Sequence, residues 1–312
     1  MAGFFLKPSG STRGHSRSIS LPVRSHPTTI KIEQELNNLI LNLQLSSSSH
    51  PFWKAGKLCM AITGLSELYK SIGEVLKLPQ TQQALAFAKH GQASSWVDEL
   101  LEEPLSFLDV CGNTRENVSL LRETLGNLQS ALRRSSTTSN NVIDNVTHHV
   151  SSFKSFKKEM TKSLASLKQI DTKLAVSPTL NSRDHQFTAV VRILTETNLM
   201  SSIIFRAILG YFSGSSNLQP KASRWSLVLK LINNKDHKLD GNLNELEDVE
   251  VALNSLMVQK EGSEMMMIMV RSASKKLQVL EKIIERVEME LEYLFRQLIQ
   301  TRVSLLNILS DH

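Results

Sequence analysis

Cysteine is scarce in this chain of 312 residues: Cys59 and Cys111 are the only two, far apart and without a Cys-x-x-Cys pair. That excludes a disulfide scaffold and predicts free, buried thiols in a reducing compartment. Acidic residues are missing from the first thirty positions, which carry Lys7, Arg13, Arg17 and Arg24. Four of the six net positive charges therefore sit in that stretch, and the rest of the chain is nearly balanced. Long apolar runs are also missing. The greasiest stretch, 189-212, is interrupted by Arg192, Glu196 and Arg206, so no transmembrane segment is predicted. Phe4-Phe5-Leu6 is too short for a secretory apolar region, and Ala2 stands where N-myristoylation needs glycine. The chain has no G-x-G-x-x-G, no phosphate loop ending in Gly-Lys-Ser/Thr, no H-E-x-x-H and no G-x-S-x-G. Few glycines and no such motif point away from an enzyme, because catalytic groups usually sit on loops held by a rigid scaffold.

What is present is helical periodicity. Apolar residues recur at three and four positions through most of the chain, and Gly and Pro fall where helices would end. The fold class expected is all-α, a multi-helix bundle with a long heptad-patterned C-terminal helix and a disordered basic tail. The tail covers 1-27 and a single helical domain 28-312. Helices are predicted near 28-45, 52-77, 80-90, 94-111, 114-134, 141-174, 183-212 and 223-233, with one or two more from 243 to 309. Pro104 should kink or split its helix, and Asn113 with Glu116 has capping-box spacing for a new start.

The C-terminal heptad runs through Met266, Val270, Ala273, Leu277, Leu280, Ile284, Val287, Leu291, Leu294, Leu298, Thr301, Leu305 and Ile308. Such a seam needs a partner helix, either in the same chain or in a second copy. Beyond Leu294, Phe295, Ile299, Val303, Leu306 and Leu309 widen the apolar face nearly all round. That favours burial within an intramolecular bundle, while the narrow seam before it keeps a homodimeric coiled coil open.

Several constellations have ligand-like spacing. Asp236 to Glu247 aligns with a calcium loop through Asp236, Asp240, Gly241, Asn244 and Glu247, but Lys238 occupies a ligand position, and an Asp-Gly turn between helices explains the same residues. Asp98, Glu99, Glu102 and Glu103 pair at i,i+4 without the Glu-x-x-His of a di-metal bundle, which leaves a solvated helix face. His148 and His149 are adjacent, so on a helix they point in different directions. Lys154, Lys157, Lys158 and Lys162 form a basic helix face opposite Phe153, Phe156 and Met160. It reads as a solvated face, with Glu245, Glu247, Asp248 and Glu250 as candidate internal partners. No RNA-module aromatic signature accompanies it, so no nucleic acid, metal or other cofactor is expected.

The tail carries the one functional motif. Arg17-Ser18-Ile19-Ser20-Leu21-Pro22 places Arg three before Ser20 and Pro two after it, and resembles the Arg-Ser-x-phosphoserine-x-Pro motif bound by 14-3-3 proteins. Arg17, Ser18, Ser20 and Pro22 are the candidate phospho-reader residues. A basic tail also suits an anionic membrane surface, and its Ser- and Arg-containing, acid-free start resembles a plastid transit peptide. A cytoplasmic or peripheral-membrane location therefore stands beside a plastid one.

Four segments carry a family resemblance: HSRSISLPVRSHP at His15 to Pro27, LKLPQTQQAL at Leu76 to Leu85, WVDELLEEPLSFLDVCGNTRE at Trp96 to Glu116, and LFRQLIQTRVSLLNILS at Leu294 to Ser310. In this order they resemble the BYPASS-like family, a domain of unknown function in land-plant proteins. The resemblance implies a mostly helical plant protein without established enzyme activity, from a family linked to root and shoot development. The expected function is that of a non-enzymatic interaction or scaffold protein regulated through a phosphorylatable tail. The alternative is a peripheral membrane or plastid-targeted protein whose N-terminus is the address.

Overall fold

The computed structural model describes residues 27–45, 53–89, 94–134, 139–174, 185–214, 243–258 and 263–310, and all regular structure among them is α-helical. The order is α1 (Pro27–Leu45), α2 (Ala55–Leu76), α3 (Pro79–Lys89), α4 (Ser94–Arg134), α5 (Ser139–Leu174), α6 (His185–Ser213), α7 (Glu245–Val258) and α8 (Ser263–Ser310). The N-terminal tail, the Asp236–Asp240 part of the calcium-like loop and the helix expected at 223-233 lie outside the described residues.

Helix α8 is the spine. From Ala273 to Ile308 every seam position is buried, and Met266 and Val270 pack partly against the same core. The partners are intramolecular: α4 and α2 cover most of the seam and α7 its first half. Cys111 faces the Leu291 carbonyl, Arg115 pairs with Glu292, Arg122 with Glu288, and Gln129 donates to Glu281, so α4 runs antiparallel to α8. Each fully buried leucine there contributes roughly 2 kcal/mol by leaving water. The widening of the apolar face beyond Leu294 is only partly used. Phe295 is half-buried under Arg115, whereas Ile299, Val303 and Leu306 face outward, because α8 lies on the flank of the bundle.

The two helices expected at 94-111 and 114-134 are one helix of 41 residues. Pro104 lies inside it, buried. At the expected restart Asn113 makes no cap: its carbonyl accepts from the Asn117 side chain, and the Thr114 hydroxyl donates to the Val110 carbonyl at 2.7 Å. Phe107, Val110, Cys111, Val118, Leu121, Leu125 and Leu128 form one buried stripe across the expected break. Burial along that stripe outweighs a local capping preference worth about 1 kcal/mol.

Helix α6 is buried nearly all round in its second half and packs against α5, α2, α4 and α1. Its polar residues are satisfied locally, Thr197 on the Ile193 carbonyl and Ser201 on the Thr197 carbonyl. Gly64 of α2 sits directly against α1: an added Cβ there would stand 2.6 Å from a Leu39 methyl.

Candidate functional site

Two buried polar assemblies and two surface features are candidates. The first assembly ties α2, α4 and α6. The Tyr69 hydroxyl lies 2.9 Å from the Ser201 hydroxyl and 3.4 Å from Asn198 Oδ1, and the Asn198 amide donates to Glu103. Full burial pushes the Tyr69 phenol far up, so it stays neutral and acts as a hydrogen-bonding strut. Glu103 thus departs from the solvated face expected of the Asp98–Glu103 group, while Glu102 is exposed as expected. Nearby, Asp171 accepts from both Ser202 and Arg206, closing α5 onto α6.

The second assembly gathers the start of α2, the end of α6 and the start of α7. Asn244 and Glu247 form a reciprocal cap, with Glu247 N donating to Asn244 Oδ1 at 2.9 Å and Asn244 N to Glu247 Oε2 at 3.0 Å. The Asn244 amide reaches the Tyr211 carbonyl at 3.0 Å. Glu245 accepts from the Tyr211 hydroxyl at 3.0 Å and from the Ala55 backbone at 3.4 Å. Burial and the Glu245 carboxylate both raise the Tyr211 phenol, which therefore stays a donor. Two calcium-ligand candidates are spent on this cap, and among the described residues no group of three His, Cys, Asp or Glu side chains could hold a metal ion.

The basic face of α5 divides. Lys157 pairs with Glu250, so the acidic start of α7 is its internal partner, and Lys162 pairs with Glu159 one turn away. Lys154 and Lys158 are exposed. His148 is exposed and His149 half-buried, their rings meet edge to face at 5.3 Å, and burial with the neighbouring ring lowers the His149 pKa. Both thiols are buried and free. Burial pushes Cys111 up to about 12, so it holds no thiolate at neutral pH. An open groove of about 430 Å³ between α4 and α8 is lined by Arg115, Arg122, Glu285, Glu288 and Glu292 among others. Arg115 with Glu292 and Arg122 with Glu288 pair across the helices, which suits a structural ladder.

The remaining surface feature is apolar and lies where α3 and α8 end and α4 begins; sequence periodicity marked its α8 residues as core and missed their exposure. Arg17, Ser18, Ser20 and Pro22 lie outside the described residues. No helix among the described residues is long and apolar enough to cross a membrane.

A family model described as Protein BPS1 matches residues 61–308, most of the chain and nearly all of the bundle. The chain belongs to the BPS1 family, in agreement with the BYPASS-like resemblance of its four segments. No curated protein and no solved structure matches it.

Proposed function

We propose that this chain is a non-enzymatic helical interaction protein acting in plant developmental signalling and regulated through its basic, phosphorylatable tail. The observation that supports it best is the use made of the ligand-like side chains. Asn244 and Glu247 cap α7, Glu103 holds Asn198, and Lys157 holds Glu250, so these groups serve the packing of helices. Family membership supports the developmental setting. The tail supplies the switch: Arg17 lies where basophilic kinases need it, and Ser20 phosphate adds roughly −1.5 to −2 charge and three acceptor oxygens for a 14-3-3 groove.

The test is fluorescence anisotropy of a labelled peptide, Ser11 to Pro27, with and without phosphate on Ser20, titrated with a 14-3-3 protein. The phosphorylated form should bind below about 100 micromolar, a free energy near −5.5 kcal/mol, and the unmodified form at least tenfold more weakly. Equal affinities would remove the switch.

A further inference from the structure

The end of the bundle formed by α3, the first half of α4 and the last third of α8 carries an uncovered apolar surface. On α8, Ile299, Val303 and Leu306 are exposed by 41%, 48% and 38% at helix spacing, and on α3 Phe87 is exposed by 79%. Lys89, two residues on, donates to the Leu309 carbonyl, which places both helices at one end. A one-face apolar stripe of this kind is what a helix presents to a partner. Its border is acidic. Between 94 and 114 the chain has five carboxylates and no Lys or Arg. Glu102 and Asp109 are exposed, and the antiparallel register sets them level with the last third of α8. Among the described residues the cations nearby include Lys89, held on Leu309, Arg115 and Arg296, both paired with Glu292, and Arg302.

The chain enters the bundle at the same end. Helix α1 begins at Pro27, and Lys31 in its second turn pairs with Glu74 near the end of α2, which runs through Lys77 and Leu78 into α3. Helix α3 is about 16 Å long, whereas the thirteen residues from His15 to Pro27 can span about 43 Å. That segment is cationic and acid-free. Laid out extended, it would turn Arg17, Ile19, Leu21 and Val23 to one side and Ser18, Ser20, Pro22 and Arg24 to the other, since side chains alternate along an extended chain.

We propose that this end of the bundle is the docking surface for the chain's own segment from His15 to Pro27. Ile19, Leu21 and Val23 cover the Ile299–Val303–Leu306 stripe, Arg17 on the same side meets the carboxylates of Asp109 and Glu102 that border it, and Ser20 and Arg24 stand on the other side. Phosphate on Ser20 repels those carboxylates and releases the segment, so the mark that creates the reader motif also uncovers the stripe. The inference rests on the tail-switch reading above and gives that switch an internal partner.

Limited trypsin digestion of the full chain, followed by mass spectrometry, tests it. Cleavage after Arg17 and Arg24 should be at least tenfold slower than in a free peptide of residues 11-30, while cleavage after Arg13, outside the docked segment, keeps the peptide's rate. The protection should disappear in Glu102→Lys/Asp109→Lys, in Ile299→Ser/Val303→Ser and in the Ser20-phosphorylated chain. All four substituted positions are exposed, and circular dichroism checks that each variant keeps its helix content. Cleavage of the wild-type chain at the peptide's rate overturns the proposal, as does protection that survives both double substitutions or that fades on dilution, the mark of a second copy. If the phosphopeptide still binds its reader while the tail is unprotected, the docking fails and the switch stands. Protection without reader binding has the opposite meaning.

Discussion

Lys57 shows two effects competing on one side chain. Its ammonium lies 4.7 Å from the centroid of the Trp53 ring, whose face attracts a cation. Burial acts against the charge and prevails, pushing the pKa down to about 8. The unfolded chain holds that proton up to the ordinary 10.5, so between pH 8 and 10.5 the unfolded state binds more protons and stability rises with pH. Below pH 8 both states are charged and the burial cost is fully present. Lys57→Met should therefore stabilise the protein at pH 7 by under about 1 kcal/mol, because solvent still screens the half-exposed group. Urea melts of both proteins at pH 7 and 9.5 check this: the gap should narrow at the higher pH, and an unchanged gap would assign it to packing alone.

At the scale of the helix, α8 and the start of α7 make separate predictions. Leu291 and Leu298 are fully buried within the one chain, so an aspartate at either position places an unpaired charge at a helix interface, at a cost of several kcal/mol. Leu298→Asp should unfold or aggregate the protein, as read by loss of the far-ultraviolet helix signal. A variant that stays folded and merely loses self-association would favour the coiled-coil dimer. For α7, Asn244→Ala removes both the cap and the tie to the Tyr211 carbonyl. The cost should be about 1 to 2 kcal/mol, and differential scanning calorimetry should show the same melting temperature in excess calcium and in chelator. A calcium-dependent rise would mean that the metal binds only the folded state and competes successfully for Glu247.

Across the whole molecule, what the sequence makes legible is periodicity, and what it hides is contact. The spacing of the seam from Ala273 to Ile308 is a local property, and the structure buries every one of those positions. The continuity of α4 was hidden because Asn113 and Glu116 carry a local signal for a new helix start that only packing against α8 and α6 overrides. Nothing in the sequence pairs Tyr69 with Ser201, since 132 residues separate them. The exposure of Ile299, Val303 and Leu306 was equally hidden, because periodicity marks a face as apolar without saying whether anything covers it. The core has a further consequence. Its cluster of buried side chains draws on every helix from α1 to α8, and α8 touches α2, α3, α4 and α7 along its length. Removing any one helix would expose apolar surface on several others, which couples their unfolding. We expect the full chain to melt in one calorimetric transition whose measured enthalpy equals the van't Hoff value. Two resolved transitions, or a van't Hoff enthalpy well below the measured one, would divide residues 28-312 into separately folding units and refute the single-domain reading.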